Sequence, residues 1–264
     1  MHPIERLRFV ARSTGAPPDD VVQEAAASLA SFADDPVSLV TACRRLIDRH
    51  PANGPVWWLC ARTLMATDPG DEAWRCHHEL GEDPTVDELA NALPDGASVA
   101  VAGWPDRLAG AFARRGDVAV RVVDVDGDGP GFVRALERLD VEALDVAVSG
   151  LAPAVAASDL VVVDASAIGP RHALVAPGGW AVAAVARTSE HPVWLVGGRG
   201  RAVPAGLWPS LQARLGGPAR APWEQGLDAL PLELVDQVVG PSGLQTVAEA
   251  LATVDTPDAA ELRR

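Results

Sequence analysis

The sequence predicts an α/β protein: an N-terminal helical domain over residues 1–92, then a Rossmann-like parallel sheet with helices on both faces over residues 93–264. Three observations carry this. The first part places its apolar residues at helical spacing behind acidic or Asp-Pro starts. From residue 98 the pattern changes to short, near-continuous apolar runs with helical stretches between them, which is how strands buried on both faces read. Between the two lies "LPDGAS", residues 93–98, a turn-rich boundary.

In the helical part, "DDVVQEAAASLASFAD" is amphipathic and opens on acidic residues. "DPVSLVTACRRLIDRH" starts with Asp-Pro and carries Val37, Val40, Cys43 and Ile47 at helical spacing. "GPVWWLCARTLMA" offers Trp57 and Trp58 as packing anchors, and "GDEAWRCHHEL" and "TVDELANAL" are short helices with acidic first turns. The expected strands are "SVAVAG" (98–103), "VAVRVVDV" (118–125), "LDVAVSG" (144–150), "DLVVVDA" (159–165) and "PVWLVGG" (192–198). "PDRLAGAFARRG", "GFVRALERL" and "GGWAVAAVARTS" are the helices between them.

The net charge of −14 argues against nucleic acid or an anionic membrane as a partner, since both call for a basic face. All 22 basic residues are Arg, and Lys and Tyr are absent, so a Schiff-base lysine, a phosphate-loop lysine and a tyrosine acid or base are excluded. Cys43, Cys60 and Cys76 show no CxxC spacing and predict neither a disulfide framework nor a zinc site. The N-terminal "MHPIERLRFV" lacks a signal-peptide core and no run reaches membrane-spanning length, so a cytoplasmic location is expected. No GxGxxG occurs, and no cofactor is expected.

The stretch "VVDVDGDGPGFVRALE", residues 122–137, poses the main choice. Asp124, Asp126, Asp128 and Gly129 match positions 1, 3, 5 and 6 of a helix-loop-helix calcium loop, but position 12 is Ala135, which cannot bind metal. The preceding "VAVRVV" is a strand. The stretch therefore reads as the end of the second strand, a Gly/Pro turn and a helix starting near Pro130, with no metal site. Ligands of such sheets bind at the carboxyl ends of strands, where this loop sits.

Around "DLVVVDASAIGPRHALVAPGGWAVAAVA", and over most of residues 40 to 245, the sequence resembles a known family. It comprises the α, β and δ subunits of translation initiation factor 2B, with methylthioribose-1-phosphate and ribose-1,5-bisphosphate isomerases as relatives. The family's fourth-strand signature, D-x-V-x-V-G-A-D-A-h-h-x-N-G-x-h-h-N-K-h-G-T with h apolar, lies along Asp159 to Trp180 without a gap. "HPANGPVWWLCARTL" is similar to its R-P-T-x-x-N-L-x-W-A helix start, "HPVWLVGG" to its next strand and "LPLELVDQVVGPSG" to its closing segment. The resemblance implies a helical domain before a Rossmann-like one, and assembly through the latter, hence a homodimer.

The departures imply a changed pocket. The Asp of G-A-D-A falls on Ser166, the Asn-Lys pair on Ala176 and Pro177, and Arg-Pro-Thr on His50, Pro51 and Ala52. In the loop that relatives write T-E-T-R-P-x-x-x-G, Asp124 takes the place of the Glu. Asp126 stands where a phosphate-facing Arg is expected, and no Cys follows Cys76. The expectation is a divergent, non-catalytic member that binds a small phosphorylated or carboxylated metabolite or acts as a regulatory or assembly subunit. The alternative is an aldose-ketose isomerase with a rearranged site, using Asp164 or His50 for proton transfer. The expected ligand-binding residues are Trp104, Asp124, Asp126, Ser166, Gly178, Gly179, Arg199 and Arg201. Arg199 and Arg201 sit in a Gly-rich loop after a strand, and Gly178 and Gly179 at a helix N-terminus. For each, a plain structural role is the competing expectation: a solvated loop, tight helix packing, or a carboxylate bonded to nearby backbone N–H groups. His172, at a turn-glycine position of the family, is expected in a loop.

Overall fold

The computed structural model describes residues 18–216, 224 and 226–263. Five helices come first: α1 (Pro18–Ala30), α2 (Pro36–Arg49), α3 (Gly54–Met65), α4 (Pro69–Gly81) and α5 (Thr85–Ala92). Their starts follow local chemistry. Asp35 Oδ1 accepts from the N–H groups of Val37 and Ser38 ahead of Pro36, and Asn53 and Asp68 cap α3 and α4 in the same way. The buried stripe of α2 is Leu39, Ala42, Cys43, Leu46 and Ile47. Cys43 and Ile47 were expected on it. Val37, by contrast, is 77% exposed, because it lies in the first turn on the far side of the helix from the packed stripe.

The second part contains β1 (Ser98–Ala102), α6 (Asp106–Arg115), β2 (Ala119–Asp124), α7 (Gly129–Glu137), β3 (Glu142–Ala147), α8 (Leu151–Ala156) and β4 (Leu160–Ile168). Then follow β5 (His172–Val175), α9 (Gly179–Thr188), β6 (Val193–Val196), α10 (Trp208–Leu215), β7 (Asp228–Pro231), β8 (Gln237–Gly240), β9 (Gly243–Gln245) and α11 (Val247–Ala252). The main sheet runs in the order β3-β2-β1-β4-β6-β8-β9 and is parallel from β3 to β8.

Alternate residues of each strand enter opposite cores, as a two-sided sheet requires. Val99, Val101, Val120, Val122, Leu160, Val162 and Trp194 pack with Leu89, Leu108, Phe112 and Phe132 beneath α5, α6 and α7. Ala100, Val123, Val161, Val163, Val193 and Leu195 pack with Val155, Val182, Ala183 and Ala186 beneath α8 and α9. A third core joins the N-terminal helices, with Trp57, Trp58 and all three cysteines inside, to Val203, Leu207, Trp208, Leu211, Ala259 and Leu262 from the C-terminal part.

The sheet departs from the expectation in three places. β5 pairs antiparallel with the end of β4 and with β7, and β9 pairs antiparallel with β8. His172, expected in a loop, is the first residue of β5, in register with Pro231. Only three residues, 169–171, separate β4 from β5, and so short a connection forces antiparallel pairing. The third strand begins at Glu142 rather than Leu144, and residues 148–150 form a 3-10 turn.

Candidate active site at the topological switch point

Topology fixes where a cavity can open. From β1 the chain builds outward through β2 and β3, then returns to place β4 on the other side of β1. Connections leave in opposite directions from such a pair, so the carboxyl ends of β1 and β4 are left uncovered. Pairing between the two strands covers only Val99↔Leu160 and Ala100↔Val161. Beyond that, β4 follows β6 as far as Asp164 and then turns to β5 through an irregularity between Ala165 and Ala167. The splay opens a cavity of about 280 Å³, lined among others by Trp104, Arg107, Asp164, Ser166, Gly179 and Arg201.

Arg201 reaches the cavity because residues 197–203 fold back along β4. Ile168 N–H donates to Arg201 O (2.7 Å), and Val203 N–H donates to Ile168 O (2.8 Å). Gly54, at the start of α3, completes the fit. A Cβ there would lie 2.8 Å from Ser166 O and 2.9 Å from Arg201 Cα, so only glycine lets the helix approach. The Arg201 side chain is 2% exposed; its Nη1 donates to Ala165 O and lies 3.9 Å from Asp164 Oδ1. That Asp164 oxygen is buried and has no hydrogen-bond partner.

The second guanidinium is Arg107, on the first turn of α6. Its Nη2 donates to Asp83 Oδ2 at 2.9 Å, while its Nη1 is buried without a partner. Asp83 is a four-way acceptor. Oδ2 also takes Arg199 N–H (2.9 Å), and Oδ1 takes Thr85 N–H (3.1 Å) and Thr85 Oγ1 (2.6 Å). A buried polar atom left without a partner costs about 1–3 kcal/mol. Two residues of the lining thus each carry a buried group without a partner, an acceptor on Asp164 and a donor on Arg107.

Trp104 forms the outer wall. Its Nε1 donates to Asp106 Oδ1, and its ring packs on Phe132 with centroids 5.9 Å apart, over a Gly131 that has no room for a Cβ. Ser166 Oγ donates to Leu174 O at 3.2 Å, and so holds the start of β5 against β4. Gly178 caps α9 at φ +84°, and a Cβ there would meet Val125 Cγ2 at 2.5 Å. The helix N-terminus behind it already has its anion, since Trp180 N–H donates to the Asp228 carboxylate at 3.1 Å.

The remaining expected residues lie elsewhere. Asp124 ends β2, and its Oδ1 accepts from Gly127 N–H (2.8 Å) and Gly129 N–H (3.1 Å), shaping the turn into α7. Asp126 and Asp128 are exposed and do not line the cavity. Among the described residues no cluster of His, Cys, Asp and Glu could hold a metal ion. His50 caps the end of α2, outside the cavity lining, with its N–H on Leu46 O. Arg199 lines a different cavity, beside β6 and β8. Gly200, at φ +72° against the Trp58 ring, turns the chain so that Arg199 and Arg201 diverge. Arg107 was missing from the sequence-based set. The signal available was its place, the second residue of the helix after the first strand.

The cysteines are remote from this chemistry. Burial pushes the Cys76 thiol up to about 12, against the pull of Arg62, and raises Cys60 well above its ordinary value.

No family model matches the sequence, and no curated protein matches it. Solved structures do match. The translation initiation factor eIF-2B of Pyrococcus horikoshii OT3 superposes with a TM-score of 0.76 at 12% identity, over 94% of this chain and 98% of that one. The fold is that of initiation factor 2B. The tetrameric eIF2B-beta2-delta2 complex from C. thermophilum gives a TM-score of 0.75 at 16% identity over 95% and 92% of the two chains. The eIF-2B delta subunit from A. fulgidus gives 0.59 at 14% over 95% and 89%. At these identities the likeness to initiation factor 2B is one of fold. No helix among the described residues is long and apolar enough to cross a membrane.

Proposed function

We propose that this initiation-factor-2B-like chain is a non-catalytic regulatory or assembly subunit, and that the cavity between β1 and β4 binds a small metabolite bearing one anionic head group. The single observation that carries this reading is the pairing of two largely buried guanidinium groups, Arg107 and Arg201, on the lining of one cavity, one Arg107 nitrogen being without a partner. Guanidinium forks fit carboxylate and phosphate oxygens, and low exposure strengthens the bond. Asp164 supplies the opposite charge and would accept from a ligand hydroxyl. With Asp164 and Asp106 also on the lining, a second anionic group would meet repulsion.

The catalytic alternative rests on Asp164. A carboxylate with an unpartnered oxygen at a cavity could carry a proton between adjacent carbons of a phosphorylated sugar, as aldose-ketose isomerisation requires. It lacks a companion of that kind: among the described residues the lining has no Lys, Tyr, His or Cys, and His50 stands apart. Assembly as a homodimer through the Rossmann-like part, in a cytoplasmic setting, belongs to the same proposal, supported by the beta2-delta2 tetramer of the C. thermophilum neighbour. Assays with methylthioribose 1-phosphate and ribose 1,5-bisphosphate, alongside sedimentation, test it. Concentration-dependent self-association without turnover is expected. Turnover at about 1 per second, the low end for enzymes, abolished by Asp164→Asn, would replace this reading with the isomerase.

A further inference from the structure

A second cavity, of about 230 Å³, opens at the carboxyl ends of β6 and β8. Its floor is apolar: Ile168, Leu232 and Val238. Its lid is α11, which presents Val247, Ala250 and Leu251 at i, i+3 and i+4. This is the face a helix buries, yet each of the three is only half-buried. The helix is not loose at its start, because Thr246 and Glu249 form a complete capping box. An anchored helix therefore packs a half-buried apolar stripe on the edge of the core that holds Ile168, Leu232 and Val238, and the same side chains line the cavity.

The rim is charged. Arg199 Nη1 lies 3.6 Å from Glu79 Oε2 and 3.9 Å from Asp255 Oδ2, longer than hydrogen bonds, and its Nε is buried without a partner. Burial holds the Asp255 carboxyl above its ordinary range despite the attraction of Arg199 and Arg62. One cationic and one anionic group thus stand on one cavity, held at ion-pair distance with one Arg199 nitrogen left without a partner.

We propose that this cavity is a second ligand site, which takes a small apolar amino acid as its zwitterion. The α-carboxylate would accept from Arg199, the α-ammonium would donate to Asp255, and the side chain would lie among Ile168, Leu232, Val238 and Leu251. A bare anion would meet Glu79 and Asp255, and a bare cation would meet Arg199, so the zwitterion alone matches the rim. The volume suits a branched side chain of leucine size. The two cavities share no lining residue, although Asp83 bonds both Arg107 and the Arg199 backbone between them.

Calorimetric titration of the full chain with L-leucine tests the assignment, with isovalerate and isoamylamine as probes that each keep one head group. The expected result is saturable binding with Kd below about 1 mM, weakened at least about tenfold for either single-headed probe. Leu251→Trp, which fills the space, and Arg199→Met are each expected to weaken leucine by a similar factor, and Arg134→Met, on the exposed face of α7, to leave it unchanged. Absence of saturation overturns the proposal, as does equal binding of either probe or an equal loss in Arg134→Met. Should neither variant fold, the comparison of probes on the unaltered chain decides.

Discussion

Asp83→Ala is the substitution that the geometry of the β1/β4 cavity makes most costly. The Asp83 side chain is 5% exposed and accepts from Arg107 Nη2, Arg199 N–H, Thr85 N–H and Thr85 Oγ1. A Cβ on Gly198 would fall 2.4 Å from its Oδ2 and 2.2 Å from Arg107 Nη2, so no side chain at that position fills the gap. Truncation leaves the Arg107 guanidinium, 15% exposed, without its counter-ion. Breaking one half of a buried pair costs about 3–5 kcal/mol. For a chain of this size, each kcal/mol lowers Tm by about 2–4 °C, giving a drop of roughly 6–20 °C. Asp83→Asn keeps the shape and loses the charge, for a smaller cost of about 1.5–3 kcal/mol. Removing both partners in Asp83→Ala with Arg107→Met relieves the stranded charge, so the double variant should be more stable than Asp83→Ala alone. Thermal or urea unfolding of the intact chain, these three variants and Arg107→Met alone measures this. A cost below about 1 kcal/mol for Asp83→Ala, or simple additivity in the double variant, refutes the role given to Asp83.

Other outcomes follow from single residues. A thiolate-selective reagent at pH 8 should label none of Cys43, Cys60 and Cys76 in the folded chain and all three after denaturation, because burial keeps Cys76 near 12 and Cys60 high; rapid native labelling would contradict this. The hydrogen bond from Arg62 holds the Glu79 carboxyl below its ordinary value, against the opposing effect of burial. Its stabilising contribution is therefore present above the unfolded value, near 4.3 by order of magnitude, and is lost as pH falls through the folded value. Glu79→Gln should accordingly flatten the acid side of the stability profile and leave the alkaline side unchanged. Gly178→Ala combines φ +84° with a Cβ 2.5 Å from Val125 Cγ2 and should cost at least about 1–3 kcal/mol. Gly96→Ala, at φ +62° in open space, should cost less in the same unfolding measurement; equal costs would mean that Val125 yields freely.

The parallel strands could be read from the chain because each is buried on both faces and so appears as an unbroken apolar run. Val99–Ala102 and Val161–Val163 need no partner information to declare themselves. The antiparallel additions carry no such signal. β5 is four residues long, begins on His172, and exists because β4 runs on past Asp164 to meet it. The site was legible by position more than by residue. Loops at strand ends pointed to Trp104, Asp164, Ser166 and Arg201, all of which line one cavity. Spacing could not show that Gly200 turns Arg199 away, nor that Asp124 spends its carboxylate on its own turn. Nor could it show that Asp126 stands in solvent. The inverted charge of that loop therefore acts on the cavity only through solvent, where screening leaves little of it. Arg107 is held by Asp83, 24 residues earlier, a contact that no local pattern in the chain announces.

Ligand-dependent melting of the intact chain and of Arg107→Met, with ribose 5-phosphate and ribose 1,5-bisphosphate as probes, tests the β1/β4 cavity as an anion site most directly. The sugar monophosphate should stabilise the intact chain, by about 2.7 kcal/mol at a hundredfold excess over Kd. The bisphosphate should do so less, and Arg107→Met should lose most of the shift. Equal stabilisation of both proteins, or a stronger effect of the bisphosphate, would contradict a site built on Arg107 and Arg201 for a single anionic group.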